Sequence, residues 1–252
     1  MMPSRLGAAL EADQEPRLSL PTPGEVPAAL TLTTPVMQSE CGAPLLLPSS
    51  YLERCRDAVR SVLFDADARV LGVTGVGPEA ASAAGSLAAG ITVVLALDTG
   101  EPTVLVECDP ERPSYASALA IEDPTGLVDW LRGPAPLHLA RLQAQRNGFV
   151  IPVGGDGNDI GATFYQLTQT DIVARLRRSF RNIVLSLPPV DDGGRRVLAT
   201  HLADRILLAA TAGRSSLVDV EQAIRLLDPD RVQGVVLTDF KSRIPSWLRR
   251  VF

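Results

Sequence analysis

The sequence is poor in the residues on which most catalytic sites depend. Among its 252 residues there is one lysine, Lys241, with two histidines and three cysteines. The cysteines are widely spaced without a CxxC pair, which argues against a zinc site or a disulfide framework, and we interpret them as buried, reduced thiols. Two histidines leave little material for a metal centre or a Ser-His-Asp triad. The near absence of lysine also removes the side chain that phosphate-binding loops normally use.

Charge and hydropathy exclude further classes of protein. The formal net charge is −5 and the isoelectric point is about 5.1, whereas nucleic-acid binding requires a basic patch. The longest apolar run lies within residues 86–97 and is too short to span a bilayer. The N-terminus lacks the charged-then-apolar pattern of a secretory signal. We therefore expect a cytoplasmic protein without a nucleic-acid partner.

Composition divides the chain into three parts. Residues 1–50 contain eight prolines, which disfavour long helices and central strands, and we interpret this segment as a flexible tail. Residues 51–240 carry the periodic patterns of a folded domain. Residues 241–252 predict a basic amphipathic helix, because Ile244, Trp247, Leu248, Val251 and Phe252 share one face. Two interpretations of that face stay open: docking on a membrane or partner, or packing on the chain's own core.

The central part predicts a doubly wound α/β fold. Short β-branched runs, apolar on both faces, predict strands of a mostly parallel sheet over residues 69–74, 103–107, 149–153, 182–186, 205–210 and 232–238. Helical patterns precede and separate them over residues 51–64, 79–96, 125–132, 168–180, 194–203 and 215–227. Either Ser215 or Ser216 is expected to cap the last helix. Alternating strands and helices place helices on both faces of the sheet.

A glycine-bearing turn follows the first predicted strand and contains Gly75 and Gly77. Ligands of doubly wound sheets bind at the carboxyl ends of the strands, and backbone amides at a helix start can hold an anion. A working phosphate loop also needs a lysine and a hydroxyl, yet no basic residue occurs between Arg69 and Arg112. The alternative is a tight β–α turn that binds nothing. Glu107 and Asp109 follow the second strand, where they would hold magnesium or form a solvated acidic turn.

Eight short segments, in this order, resemble the cytoplasmic kinase domain of bacterial tyrosine kinases from capsule and exopolysaccharide systems, in the MinD/ParA group of P-loop ATPases. They are residues 53–64, 73–82, 104–113, 125–131, 151–154, 180–190, 201–204 and 234–238. The resemblance covers roughly residues 51–240 and implies a P-loop-type fold that uses ATP and magnesium. It places the family's E-x-x-R assembly motif on Glu53 and Arg56, with a membrane-spanning chain-length regulator as partner.

The departures from this family are as informative as the matches. The phosphate-loop lysine falls on Ala80, Ala81 or Ser82, and the magnesium-binding aspartate falls on Ser186. The tyrosine-rich C-terminal tail, which is the family's autophosphorylation substrate, is absent. We therefore expect no catalytic residues and no bound cofactor. A vestigial nucleotide site would consist of Gly75, Gly77, Ser82, Glu107 and Asp109.

Three functions remain open at this point. The first is a catalytically degenerate, regulatory or structural partner in polysaccharide polymerisation or export, which binds the chain-length regulator or an active kinase homologue and itself forms a homo-oligomer. The second is a divergent but active tyrosine kinase or ATPase. The third is a MinD/ParA-like positioning protein. In each case we expect a cytoplasmic location, with attachment to the inner membrane through a partner or the C-terminal helix as a further hypothesis.

Overall fold

The computed structural model describes residues 36–60, 69–77, 80–122, 125–133, 137–143, 145–155, 160–190 and 196–239. Within them, eight strands form one sheet, with the bounds β1 Val36–Glu40, β2 Val70–Val76, β3 Thr103–Glu107, β4 Leu137–Arg141, β5 Gly148–Ile151, β6 Asn182–Ser186, β7 Arg205–Thr211 and β8 Val232–Thr238. Their order across the sheet is β1-β4-β5-β3-β6-β2-β7-β8. All neighbouring pairs are parallel except β4 with β5.

The described helices are α1 Ser49–Arg60, α2 Ala80–Thr99, α3 Tyr115–Ala118, α4 Leu127–Arg132, α5 Ile160–Gln169, α6 Ile172–Ser179 and α7 Leu217–Leu226, with a 3₁₀ segment at Arg196–Leu202. Ser216 is the N-cap of α7, one of the two serines predicted for that role. Its hydroxyl accepts the Asp219 N–H at 3.1 Å, and the Asp219 carboxylate accepts the Ser216 N–H at 2.9 Å. This reciprocal pair fixes where α7 begins, next to the carboxyl end of β7.

Helices cover both faces of the sheet, which confirms the predicted doubly wound α/β fold. On one face α1 and α2 contribute Cys55 and Leu87 to a core with strand residues such as Val73. On the other face α4 to α7 and the 3₁₀ segment pack around Phe180 and Leu208. The strands β2 and β3 are buried along their whole length, as their apolar character on both sides requires.

Helix α2 is longer than the sequence pattern suggests. Of the described helices it alone is long and apolar enough to cross a membrane, but 67% of its most apolar stretch is buried inside the molecule. Its Thr92 and Thr99 hydroxyls donate to the carbonyls of Ala88 and Leu95, four residues earlier. These bonds satisfy the donor hydrogen of each hydroxyl within the helix. We therefore interpret α2 as a core helix packed on the sheet.

The six predicted strands are all present, with ends that shift by at most two residues. The sequence patterns missed β4 and α5, and the helix predicted over residues 194–203 is the 3₁₀ segment. The histidine in β4 interrupts its apolar run, although His138 is only 1% exposed and its Nε2 lies 2.8 Å from Ser39 Oγ on β1.

Strand β1 lies inside the segment predicted to be a flexible tail. It pairs in parallel with β4 over five residues, and the chain continues the contact through the Cys41 N–H, which donates to Arg141 O at 3.0 Å. The tail predicted over residues 1–50 is therefore wrong from Val36 onward, because prolines flank this edge strand instead of interrupting it. Residues 1–35 and the predicted helix over residues 241–252 lie outside the described residues.

Candidate functional site

The turn between β2 and α2 lies where a phosphate loop would be. Helix α2 begins at Ala80, and a Cβ placed on Gly75 would lie 2.6 Å from Ala80 O, so only glycine fits there. This contact pairs Gly75 with Ala80 at the spacing of the two glycines in the G-x-x-x-x-G-K-[ST] pattern. In this register, one of the three that the sequence left open, the lysine position is Ala81 and the hydroxyl position is Ser82. Pro78 and Glu79, within the turn, lie outside the described residues.

The backbone of this turn retains one feature of an anion-binding loop. Gly77 has a φ of +90°, a left-handed conformation that favours glycine, and its carbonyl accepts the Ala80 N–H at 3.2 Å. The charge nearby has the wrong sign for phosphate. Asp219 Oδ2 lies 3.9 Å from the position of a Cβ on Gly77, and hydrogen bonds from Ser216 hold the pKa of Asp219 below its usual value. An ionised carboxylate beside the loop opposes a polyphosphate.

Glu107, at the end of β3, is committed to the protein's own backbone. Its Oε1 accepts hydrogen bonds from the Ser114 N–H at 2.6 Å, the Ser114 hydroxyl at 3.0 Å and the Tyr115 N–H at 3.1 Å. Its Oε2 accepts the Val153 N–H at 3.0 Å, and the residue is 2% exposed. Burial raises the pKa of Glu107, and these four hydrogen bonds oppose that rise. With both oxygens occupied, Glu107 joins α3 to the segment after β5 and is not available as a magnesium ligand.

Ser186, at the end of β6, belongs to a second internal network. The Tyr115 hydroxyl donates to Gly85 O in α2 at 2.7 Å and lies 3.2 Å from Ser186 Oγ. Tyr115 is 6% exposed, and burial raises the pKa of its phenol. Gly85 lies one helical turn after Ala81, on the same side of α2. A tyrosine therefore fills the space between α2, β3 and β6, where a metal ion would need carboxylates.

Asp109 is the one carboxylate of the predicted set that keeps some access to solvent, at 8% exposure. Its Oδ1 accepts the Glu111 N–H at 3.2 Å, which shapes the turn after β3. Among the described residues, no group of three histidine, cysteine, aspartate or glutamate side chains is placed to hold a metal ion. The residues present do not fit ATP with magnesium, since the lysine is missing, serine stands at position 186, and both oxygens of Glu107 accept hydrogen bonds within the chain.

Two other segments that resemble the kinase family, residues 125–131 and 151–154, lie against each other. Their contact is structural. The Asp129 carboxylate accepts the N–H groups of Gly126 at 2.9 Å and of Gly155 at 2.8 Å. A Cβ on Gly126 would lie 2.1 Å from Pro152 O, so the two segments touch through their backbones. This contact explains glycine at position 126 without a ligand.

The predicted assembly residues are paired within the chain. Arg56 donates two hydrogen bonds to the Asp98 carboxylate, at 2.7 and 2.9 Å, and a third to Glu53 at 2.7 Å. The hydrogen bonds from Arg56 hold the pKa of Asp98 below its usual value. The bidentate pair fixes α1 against the end of α2. A role of Glu53 and Arg56 in assembly would therefore use a helix that is already anchored to its own domain.

Comparison with solved structures identifies the fold. The chimeric protein CapA2B2 matches with a TM-score of 0.68 and 15% identity, covering 84% of this chain and 96% of that one. The kinase domain of the Escherichia coli tyrosine kinase ETK matches with a TM-score of 0.64 and 15% identity, covering 76% and 75% of the two chains. The chain has the fold of a bacterial tyrosine kinase domain.

The same fold extends to the MinD ATPases, as the resemblance predicted. The cell division ATPase MinD of Pyrococcus furiosus matches with a TM-score of 0.56 and 20% identity, covering 73% of this chain and 79% of that one. No family model and no curated protein sequence matches the chain. These TM-scores show a shared P-loop-type fold.

Two site residues were missed by the sequence analysis. Tyr115 had no motif to mark it, because its contacts with Gly85 and Ser186 join positions 30 and 71 residues away. Asp219 was hidden in the same way, because its approach to Gly77 depends on how α7 packs beside β2. The three cysteines are free and buried, as predicted.

Proposed function

We propose that this chain is a catalytically inactive protein with a tyrosine kinase fold, which acts by binding protein partners. One observation carries the proposal. Glu107, Tyr115 and Ser186 close the carboxyl edge of the sheet through hydrogen bonds within the chain, at the place where a kinase of this fold would need charge-neutralising groups.

The chemistry of phosphoryl transfer gives this observation its weight. Catalysis depends on positioning the phosphates and neutralising the charge that develops on them. Loss of one preorganised group costs about 3–4 kcal/mol of transition-state stabilisation, a factor of 10² to 10³ in rate. Here alanine stands at position 81 and serine at position 186, so at least two such groups are missing. Their combined loss lowers the rate of phosphoryl transfer by several orders of magnitude.

The resemblance to capsule and exopolysaccharide kinases supports a place for the chain in such a system. Its partner would be either a membrane-spanning chain-length regulator or an active kinase homologue, and the chain itself would form a homo-oligomer. We place it in the cytoplasm, at the inner membrane through its partner. The fold is more similar to the kinase domain of ETK, with a TM-score of 0.64, than to MinD, with a TM-score of 0.56. This difference supports a relation to the tyrosine kinases over a relation to the cell division ATPases.

The experiment compares gene deletion with an isosteric change at Asp109 in the producing organism. Asp109→Asn keeps the oxygen that accepts the Glu111 N–H but removes the carboxylate that magnesium chemistry would need. Deletion is expected to reduce polysaccharide yield or chain length, whereas Asp109→Asn is expected to behave as wild type. Loss of polysaccharide in the Asp109→Asn strain, together with magnesium-dependent ATP hydrolysis by the wild-type protein, would show an active enzyme.

A further inference from the structure

A groove on the α1/α2 face of the sheet does not involve Glu107, Tyr115 or Ser186, but it shares Ser82 with the phosphate-loop position. Its volume is about 1180 Å³, and its walls come from α1 and the residues before it, one side of α2, the turn after β7 and the end of β8. The larger apolar side chains of the lining are those of Leu47, Tyr51, Leu87, Val236 and Leu237. The charged side chains that line it are Arg54, Arg214 and Asp239, of mixed sign. Apolar contact and not charge would therefore select what fills it.

The groove has the properties of a surface that lacks its cover. Leu237 is 53% exposed within it, and Leu46, next to the lining residue Leu47, is 82% exposed. Exposed leucines at the wall and rim of an open groove indicate an apolar surface that lacks its cover.

The chain itself supplies a segment that matches the groove. The described residues end at Asp239, which lines the groove and has a left-handed φ of +54°, so the chain turns sharply at its rim. Two residues later the amphipathic pattern over residues 241–252 begins. Because Pro245 is tolerated only in the first turn of a helix, the helical part would begin near residue 243 and be about 15 Å long. A tether this short gives the segment a high effective concentration at the groove.

We propose that residues 243–252 form a helix that docks in this groove of the same chain. Ile244, Trp247, Leu248, Val251 and Phe252 would cover the apolar lining, and the arginines on the other side would remain in water. Docking in cis is favoured over a separate partner because the segment starts at the rim. The apolar face, for which the sequence left two interpretations open, is then part of the chain's own core.

Trp247 provides a direct probe of this docking in the full-length chain. The sequence has two tryptophans, so the conservative Trp130→Phe variant leaves Trp247 as the single emitter. In that background Trp247 is expected to emit at short wavelength and to be protected from acrylamide. Leu237→Arg, which places a charge in the groove, should shift the emission to the red and raise the quenching constant several-fold.

A matched control separates docking from a general effect of surface charge. Leu217 is 73% exposed on α7, which packs on the opposite face of the sheet, so Leu217→Arg should leave Trp247 unchanged. Both leucines are exposed, and circular dichroism is expected to show that both variants stay folded. A solvent-exposed Trp247 that does not respond to Leu237→Arg would overturn the proposal. Protection that depends on protein concentration, or that appears only with anionic lipid vesicles, would also overturn it in favour of a second copy or a membrane.

Discussion

A lysine at position 81 should separate the geometry of the phosphate loop, which the turn keeps in part, from its positive charge, which is missing. Gly75 and Ala80 keep the spacing of a phosphate loop and Gly77 keeps its left-handed conformation, whereas the charge is gone. A lysine about 4 Å from a phosphate contributes roughly 4 kcal/mol at an effective dielectric constant of 20. Because Ala81 is partly exposed, solvent screening should reduce this to about 1.5–3 kcal/mol, or about 10- to 100-fold in affinity.

The expected result is that Ala81→Lys gives measurable binding of ATP by calorimetry, where the wild-type protein shows none. Hydrolysis should remain absent, because Ser186 lacks the carboxylate that magnesium would need and the Tyr115 hydroxyl lies 3.2 Å from its Oγ. Ala81→Met is the control, since it adds similar length without charge, and it should behave as wild type. Equal, undetectable heats for all three proteins would refute the reasoning, because they would mean that the turn has also lost the geometry of a phosphate loop.

Three further predictions concern the contacts that hold the site. Tyr115→Phe removes a buried hydroxyl that bonds two elements, and we expect a loss of about 1–2 kcal/mol in the free energy of unfolding, measured with urea. Gly126→Ala forces a Cβ to within 2.1 Å of a backbone oxygen and should cost about 1–3 kcal/mol, whereas Gly133→Ala, with nothing within 4 Å, should be neutral. The lowered pKa of Asp98 means that its pair with Arg56 stabilises the protein above pH 3.8, the usual value, and loses that effect as the pH falls through the lowered pKa. Asp98→Asn should abolish this part of the pH dependence of the melting temperature, and a melting curve that keeps it would contradict the assignment.

The sequence predicted the interior of the fold better than its edges. The strands β3, β6 and β8 lie at their predicted bounds, because short apolar runs between charged or polar residues leave little choice of ends. The edge strand β1 was missed because its residues mix apolar and polar character, and its pairing with β4 depends on residues about 100 positions away. Helix α5 was missed for a related reason, since its pattern adjoins that of α6 and only tertiary packing separates the two.

In the candidate site, too, features that lie in a short sequence motif could be predicted, whereas contacts between distant segments could not. The missing lysine and the serine at position 186 could be read from the sequence, because each departs from a linear motif. The use of both Glu107 oxygens could not, since their partners Ser114, Tyr115 and Val153 come from two other segments. The position of Tyr115 likewise follows from where α3 packs, which no linear pattern in this sequence reveals.

Binding of ATP to the wild-type protein tests the central claim most directly. A ligand at 1 mM with a dissociation constant of about 10 μM would add about 2.7 kcal/mol to the free energy of unfolding. For a domain of this size that corresponds to a rise of about 5–10 °C in melting temperature. We predict no rise with ATP or ADP and magnesium, and no heat in calorimetry. A rise of that size, confirmed by calorimetry, would contradict the account and show that the loop binds nucleotide without its lysine.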